Sequence, residues 1–356
     1  MQYYVPKSGM PMYDLSRAYG LGYITNILSS SESIVRDFGH YFFVETRKTS
    51  DIRNIGKLSI LTGTDLDWDS VFLTLKGTSR REKKIKEIIE FFSKEENLQA
   101  IFKKYQNLNE PQFLNSKGNG ETLLQSLEIG GAKGLREDIR LSSYSKGKQL
   151  WVPREDFVLS TIGHLHFTIW KWSGKGNDFK KVSIMLHPGK EGVNIGGMGD
   201  IKDLKNKINE IARGSKAGVL ATLTNTAVHI AKKTYDIQKS SRLFTPKFSS
   251  LIYSVMAGTG QQMKPFGGGI YPLEFLNNLS HSDNAGEIFD IWIDLFRVAN
   301  IKGYEDMAIY LSEFITHPSM VTLERYLKIH LRFHISKDIK IKLYEEKMLA
   351  EVMKYI

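Results

Sequence analysis

The chain has 356 residues, 41% of them hydrophobic and 25% charged, with no cysteine and a formal net charge of +10. Its length and apolar content suffice for a substantial core and for two or three domains, and its ordinary charge content argues against wholesale disorder. The missing cysteines exclude disulfides, thiolate catalysis and cysteine-rich zinc sites, and the basic balance (pI about 9.3) points to anionic partners, nucleic acid before a membrane surface.

Met1-Gln2-Tyr3-Tyr4-Val5-Pro6 pairs no cationic segment with an apolar run, so no signal peptide is expected. No stretch reaches the apolar length that crosses a bilayer, and cytoplasm is the expected compartment. After Pro11, residues 11–28 place Leu15, Ala18, Tyr19, Gly22, Tyr23, Ile27 and Leu28 at helical spacing, with Asp14 as a first-turn acid. His40–Thr46, aromatic and β-branched, predicts a strand. Residues 79–105 predict one long amphipathic helix, with Arg80, Arg81, Lys83, Lys84 and Lys86 on its polar face. Asn107–Gly120 is a boundary or a long loop.

Val158–Trp172 and Lys180–His187 predict two strands, joined by the turn residues Ser173-Gly174-Lys175-Gly176-Asn177-Asp178 into a hairpin. A glycine-rich loop at Gly192–Gly199 precedes a helix around 200–213, and 217–231 is ambiguous between strand and helix. A second glycine-rich loop spans Gly258–Gly269, and from Tyr271 onward the pattern is helical, with short connectors that make neighbouring helices antiparallel. The expected fold is α+β: a mixed α/β body with antiparallel strands and a C-terminal helical bundle. The expected division is 1–110, 111–270 and 271–356.

No phosphate-binding Gly-x-x-x-x-Gly-Lys-Ser/Thr occurs, and Gly192–Gly199 lacks dinucleotide spacing, so no cofactor is expected. Within a strand, His164 and His166 would share one face and could supply two metal ligands or a proton shuttle, although a polar strand face is the plainer reading. Asp65-Leu66-Asp67-Trp68-Asp69 reads as a helix start. Basic surfaces recur. The hairpin carries Lys171, Lys175, Lys180 and Lys181; Arg325, Lys328 and Arg332 share a helix face. In the glycine loop, Gln261, Gln262 and Lys264 could donate to base edges, beside Met263 and Phe266 as wedges.

Tyr4-Val5-Pro6-Lys7-Ser8-Gly9-Met10-Pro11-Met12-Tyr13-Asp14-Leu15-Ser16-Arg17-Ala18-Tyr19-Gly20-Leu21-Gly22 resembles the opening of the archaeal large subunit of the type I-A CRISPR interference complex, Cascade. The resemblance implies a non-catalytic protein that contacts guide RNA and target DNA, senses the protospacer-adjacent motif, helps open the duplex, and meets other Cascade subunits and the helicase–nuclease. Guide pairing would then read the sequence, leaving shape and phosphate contacts to the protein. On that reading Lys264, Gln261 and Gln262 probe the duplex, Lys171, Lys175, Lys180 and Lys181 contact phosphates, and Arg325, Lys328 and Arg332 support the displaced strand or a partner. The alternatives are an RNA-processing phosphoesterase or nuclease using His164 and His166, and a purely structural subunit.

Overall fold

A computed structural model describes residues 1–55, 66–110 (save 74 and 76), 151–240 (save 198), 248–258, 263–335 (save 302) and 342–356, with 113–114, 118, 120–123 and 129. In chain order the first elements are β1 (Gln2–Pro6), α1 (Pro11–Ser29), β2 (Ser33–Asp37), β3 (Tyr41–Thr46), α2 (Trp68–Val71), α3 (Thr78–Phe92), α4 (Glu95–Tyr105), β4 (Gly120–Leu123) and β5 (Trp151–Pro153). There follow α5 (Arg154–Phe167), β6 (Ile169–Ser173), β7 (Lys180–Pro188), β8 (Val193–Ile195), α6 (Ile201–Ile211), α7 (Val219–Ser240), β9 (Phe248–Ala257) and β10 (Lys264–Pro272). The C-terminal part is α8 (Glu274–Leu279), α9 (Ala285–Ala299), α10 (Glu305–Thr316), α11 (Met320–Ile335) and α12 (Glu346–Met353).

Two four-stranded antiparallel sheets, ordered β1-β3-β2-β8 and β10-β9-β7-β6, share the core with α1 and α5. The chain is α+β, with helices gathered at its C-terminal end as expected. The division expected at residue 110 is crossed by β8 pairing with β2, and by α5 packing along α1.

Helix α1 starts where Pro11 pre-sets the first turn. Its first-turn acid turns back on the preceding loop: Asp14 accepts from Ser8 N–H at 2.9 Å, from Ser8 Oγ at 2.7 Å and from Met10 N–H at 3.2 Å. It is buried on almost every side, so it carries no polar face. The C-terminal helices enclose an aromatic centre. Phe275 and Phe314 meet edge to face at 5.3 Å, fully buried Trp292 packs against both, and Tyr326 stacks on Phe314. Each such ring contributes roughly 1.5–3 kcal/mol by leaving water.

Several local expectations are corrected. The strand expected over Val158–Trp172 is mostly helix α5, and only Ile169–Ser173 is extended. Residues 156–167 are buried without interruption, so neither period marks the segment; Glu155 and Asp156 in the first turn are its helical signal. The long helix at 79–105 is two helices, broken at Ser93-Lys94. The ambiguous 217–231 segment is helical from Val219, with threonines bonding back one turn (Thr222 to Gly218 O at 3.0 Å, Thr226 to Thr222 O at 2.8 Å). The second half of the Gly258–Gly269 loop is strand β10, paired to β9; Gln261 and Gln262 lie outside the described residues. Among the described residues no helix is long and apolar enough to cross a membrane.

Candidate nucleic-acid interface

The β6–β7 hairpin forms as expected, but its lysines do not make one cationic surface. Lys181 is only 8% exposed, donates to Ser70 Oγ, and lies over the rings of Trp170 and Trp172 at 4.7 and 5.7 Å. Burial, against the pull of Asp67 and Asp69, lowers its pKa. Lys171 is also buried, donating to Asn209 O at 2.7 Å; burial, then Lys205, brings its pKa down to about 8. Lys180 reaches Asp178 at 3.2 Å and covers Phe266, and exposed Lys175 pairs with Glu305 of α10.

The other expected positions are dispersed. Lys264 is exposed at the start of β10. On α11, Arg325 meets Glu313 at 3.3 Å, Lys328 meets Glu324 at 2.7 Å, and Arg332 is exposed in the last turn. Two carboxylates thus offset part of that face. Asp67 does start a helix: it caps α2, accepting from Ser70 N–H at 2.9 Å.

Strand β6 inverts the usual amphipathic order. Lys171 points into the protein, while Trp172 on the opposite face is 54% exposed. Phe179, 49% exposed, stands edge-on to Trp172 with centroids 6.5 Å apart. Both rings line a cleft of about 1000 Å³, between β6, the chain after α6, the start of α7 and the end of α9. Gly214 lets that chain press onto β6; a Cβ there would lie 1.6 Å from Trp172 O. Gly174 N–H to Ser215 O at 3.0 Å and Lys216 N–H to Asn300 Oδ1 at 3.0 Å hold the turn in place.

The cleft is cationic. Arg213, Lys216 and Arg297 are exposed on its rim and Lys171 lies deeper; Glu210 also lines the cleft, and Asp294 pairs with Arg297 at 3.0 Å. Ile211, 41% exposed, and Ile301, 51% exposed, add apolar wall. On the floor, burial and then Lys171 and Lys233 hold His229 at about 4, so its imidazole is neutral at pH 7. Cations around exposed aromatic rings suit phosphates and bases together. Sequence reading missed Arg213, Lys216, Arg297, Trp172 and Phe179 as a group. The available signals were the basic turn Arg213-Gly214-Ser215-Lys216 and the alternation Trp170-Lys171-Trp172.

The histidine pair is not a site of this kind. On α5 a two-residue spacing turns His164 and His166 to different faces, whereas a strand would have put them on one. His164 meets Trp170 edge to face at 5.2 Å, and His166 lies 4.2 Å from the Tyr23 ring. Burial holds both imidazoles at about 3. Among the described residues no cluster of three or more His, Asp or Glu could hold a metal ion.

The N-terminal motif builds the core. Arg17 donates to Pro6 O and to Asp14 Oδ1, both at 2.7 Å, with Asp156 Oδ2 at 3.8 Å. Tyr105 OH at 2.6 Å and Lys104 Nζ at 2.7 Å reach Asp156 Oδ1. A cavity of about 410 Å³ opens over Arg17, Lys104 and Asp156.

No family model matches the chain. A protein of Archaeoglobus fulgidus, described as uncharacterized, is 36% identical over 359 residues, covering 100% of this chain and 98% of the relative. The chain belongs to the same family as that archaeal protein.

Proposed function

We propose that the chain is a non-catalytic nucleic-acid-binding protein and acts as the large subunit of a type I-A Cascade, as its N-terminal motif suggests. The observation that carries the binding reading is the cleft beside β6, which Arg213, Lys216 and Arg297 line together with solvent-facing Trp172 and Phe179. A solvated basic surface has no need to expose two large aromatic rings among its cations, whereas a strand-binding groove uses both. The partners on this reading are guide RNA, target DNA, the other Cascade subunits and the helicase–nuclease, in the cytoplasm. Motif sensing and duplex opening come from the resemblance.

The test is titration of fluorescent single-stranded, forked and duplex DNA at two salt concentrations, with Arg213→Glu/Lys216→Glu/Arg297→Glu alongside. The expected result is affinity that falls steeply with salt, with a salt slope reduced in the variant by roughly 0.9 for each lost phosphate contact to duplex. No binding at low salt, or an unchanged slope in the variant, would overturn the assignment of phosphate contacts to this cleft.

A further inference from the structure

The floor of the same cleft carries a buried polar atom that no described residue partners. Asn225 is 4% exposed and lines the cleft from α7. Its Nδ2 donates to Arg213 O at 2.7 Å, which fixes the amide orientation and leaves Oδ1 as an acceptor. Oδ1 is buried and, among the described residues, has no hydrogen-bond partner. An unmet buried acceptor is costly, and a ligand that supplies an N–H removes that cost. Trp172, 54% exposed, lines the same cleft, and the rim is cationic. The volume, about 1000 Å³, lies at the upper end of the range typical of small-ligand pockets, roughly 300–1,000 Å³.

We infer that the cleft takes one unpaired nucleotide. Its base stacks on Trp172 and gives an exocyclic amino hydrogen to Asn225 Oδ1, while its phosphate lies among Arg213, Lys216 and Arg297. This rests on the nucleic-acid reading and sharpens it. In a duplex the faces of a base are stacked and its pairing edge is occupied. Only a base out of the helix presents both its ring and its amino edge. Lys171 reinforces the choice: a buried ammonium beside neutral His229 favours an anionic ligand over a cationic one.

The full chain is tested with short single strands that carry, at one central position, either adenine or unsubstituted purine, which stacks but lacks the amino group. Wild-type protein is expected to prefer adenine about tenfold, the size of effect set by leaving a buried acceptor unmet. Asn225→Leu is expected to bind both strands equally, and this ratio is readable even if overall affinity changes. Trp172→Ala, altering an exposed side chain, is expected to weaken both strands about tenfold. The same strands annealed to complements should bind without an adenine preference. Free adenosine monophosphate as competitor separates the sources: displacement at the strand's own affinity assigns the site to free nucleotides, and displacement only at far higher concentration assigns it to a strand. If no strand binds at any salt, the nucleic-acid reading fails and this inference with it. If strands bind but the preference is absent, or survives in Asn225→Leu, the nucleic-acid reading stands and the base pocket is overturned.

Discussion

Gly20 of α1 and Gly163 of α5 face each other where the two helices cross, with no room for a side chain at either position. A Cβ on Gly20 would lie 2.0 Å from Leu159 O, and one on Gly163 would lie 1.8 Å from Ser16 O. Both obstacles are backbone atoms, so relief requires moving the helices apart. Helix propensity alone predicts that Gly→Ala stabilises by up to about 1 kcal/mol. The crossing predicts the opposite sign: Gly20→Ala and Gly163→Ala should each cost about 3 kcal/mol or more. Because both open the same interface, the double variant should cost less than the sum. Urea unfolding midpoints of the three variants check both statements.

Beside that crossing the N-terminal motif buries an ion pair, Arg17 with Asp14. Arg17 is fully buried, and its guanidinium serves Pro6 O and Asp14 and lies near Asp156. Arg17→Met should leave Asp14 without its cation and Asp156 with Lys104 alone, costing about 3–5 kcal/mol. Arg17→Lys should recover less than half, since one ammonium cannot span partners that a planar fork reaches together. The surface comparison is Arg325→Ala, which loses the exposed Glu313 partner and should cost less than about 1 kcal/mol. Chemical denaturation of the three variants orders them.

Acid should weaken the fold well above the carboxylate range. Burial, with nearby ammonium groups adding, holds His164 and His166 at about 3 and His229 at about 4; burial likewise brings His330 to about 4. These folded values lie below the unfolded value near 6.5, so below that pH the unfolded chain binds more protons. The stability contributed by the neutral imidazoles is complete above about pH 6.5. It is lost as pH falls from there through the folded values, at up to about 1.4 kcal/mol per pH unit for each imidazole. Asp37 acts later. Burial alone would raise its pKa, but hydrogen bonds from His187 and Lys7, with Gly39 N–H, hold it well below the usual carboxylate range. Its contribution is therefore present above about pH 3.9 and lost below. Unfolding midpoints at pH 7.5, 6 and 5 should fall progressively, and His166→Phe should make the fall shallower.

How much of this was legible depends on whether a segment has two unlike faces. The start of α1 was readable from Pro11 although that helix is buried nearly all round, and the C-terminal helices were readable because apolar stripes such as Phe289–Trp292–Phe296 alternate with charge. Helix α5 was not, because a segment buried on every side shows neither helical nor strand period. The cleft was hidden for two reasons. Its residues come from four stretches, near 172, 213, 225 and 297, and one chain read alone does not bring them together. In addition, β6 breaks the rule that lysine faces water and tryptophan faces the core. That rule made Lys171 and Lys181 look like surface cations, and left Trp172 unconsidered as a binding group.

The hairpin lysines should therefore separate when reversed one at a time. Lys181→Glu places a carboxylate in a buried position between Trp170, Ser70 and the acids Asp67 and Asp69. The variant should lose about 3 kcal/mol or more of stability. Lys175→Glu acts at an exposed tip, where it sets a like charge against Glu305 and should cost under about 1 kcal/mol. If a nucleic-acid strand runs along the cleft toward the hairpin tip, Lys175→Glu should lower affinity at low salt and reduce the salt slope by roughly one contact, with the unfolding midpoint almost unchanged. Thermal unfolding and DNA titration of the same two preparations give the comparison. A Lys181→Glu protein as stable as wild type would show that the lysine faces water after all, and would return the phosphate contacts to the hairpin face.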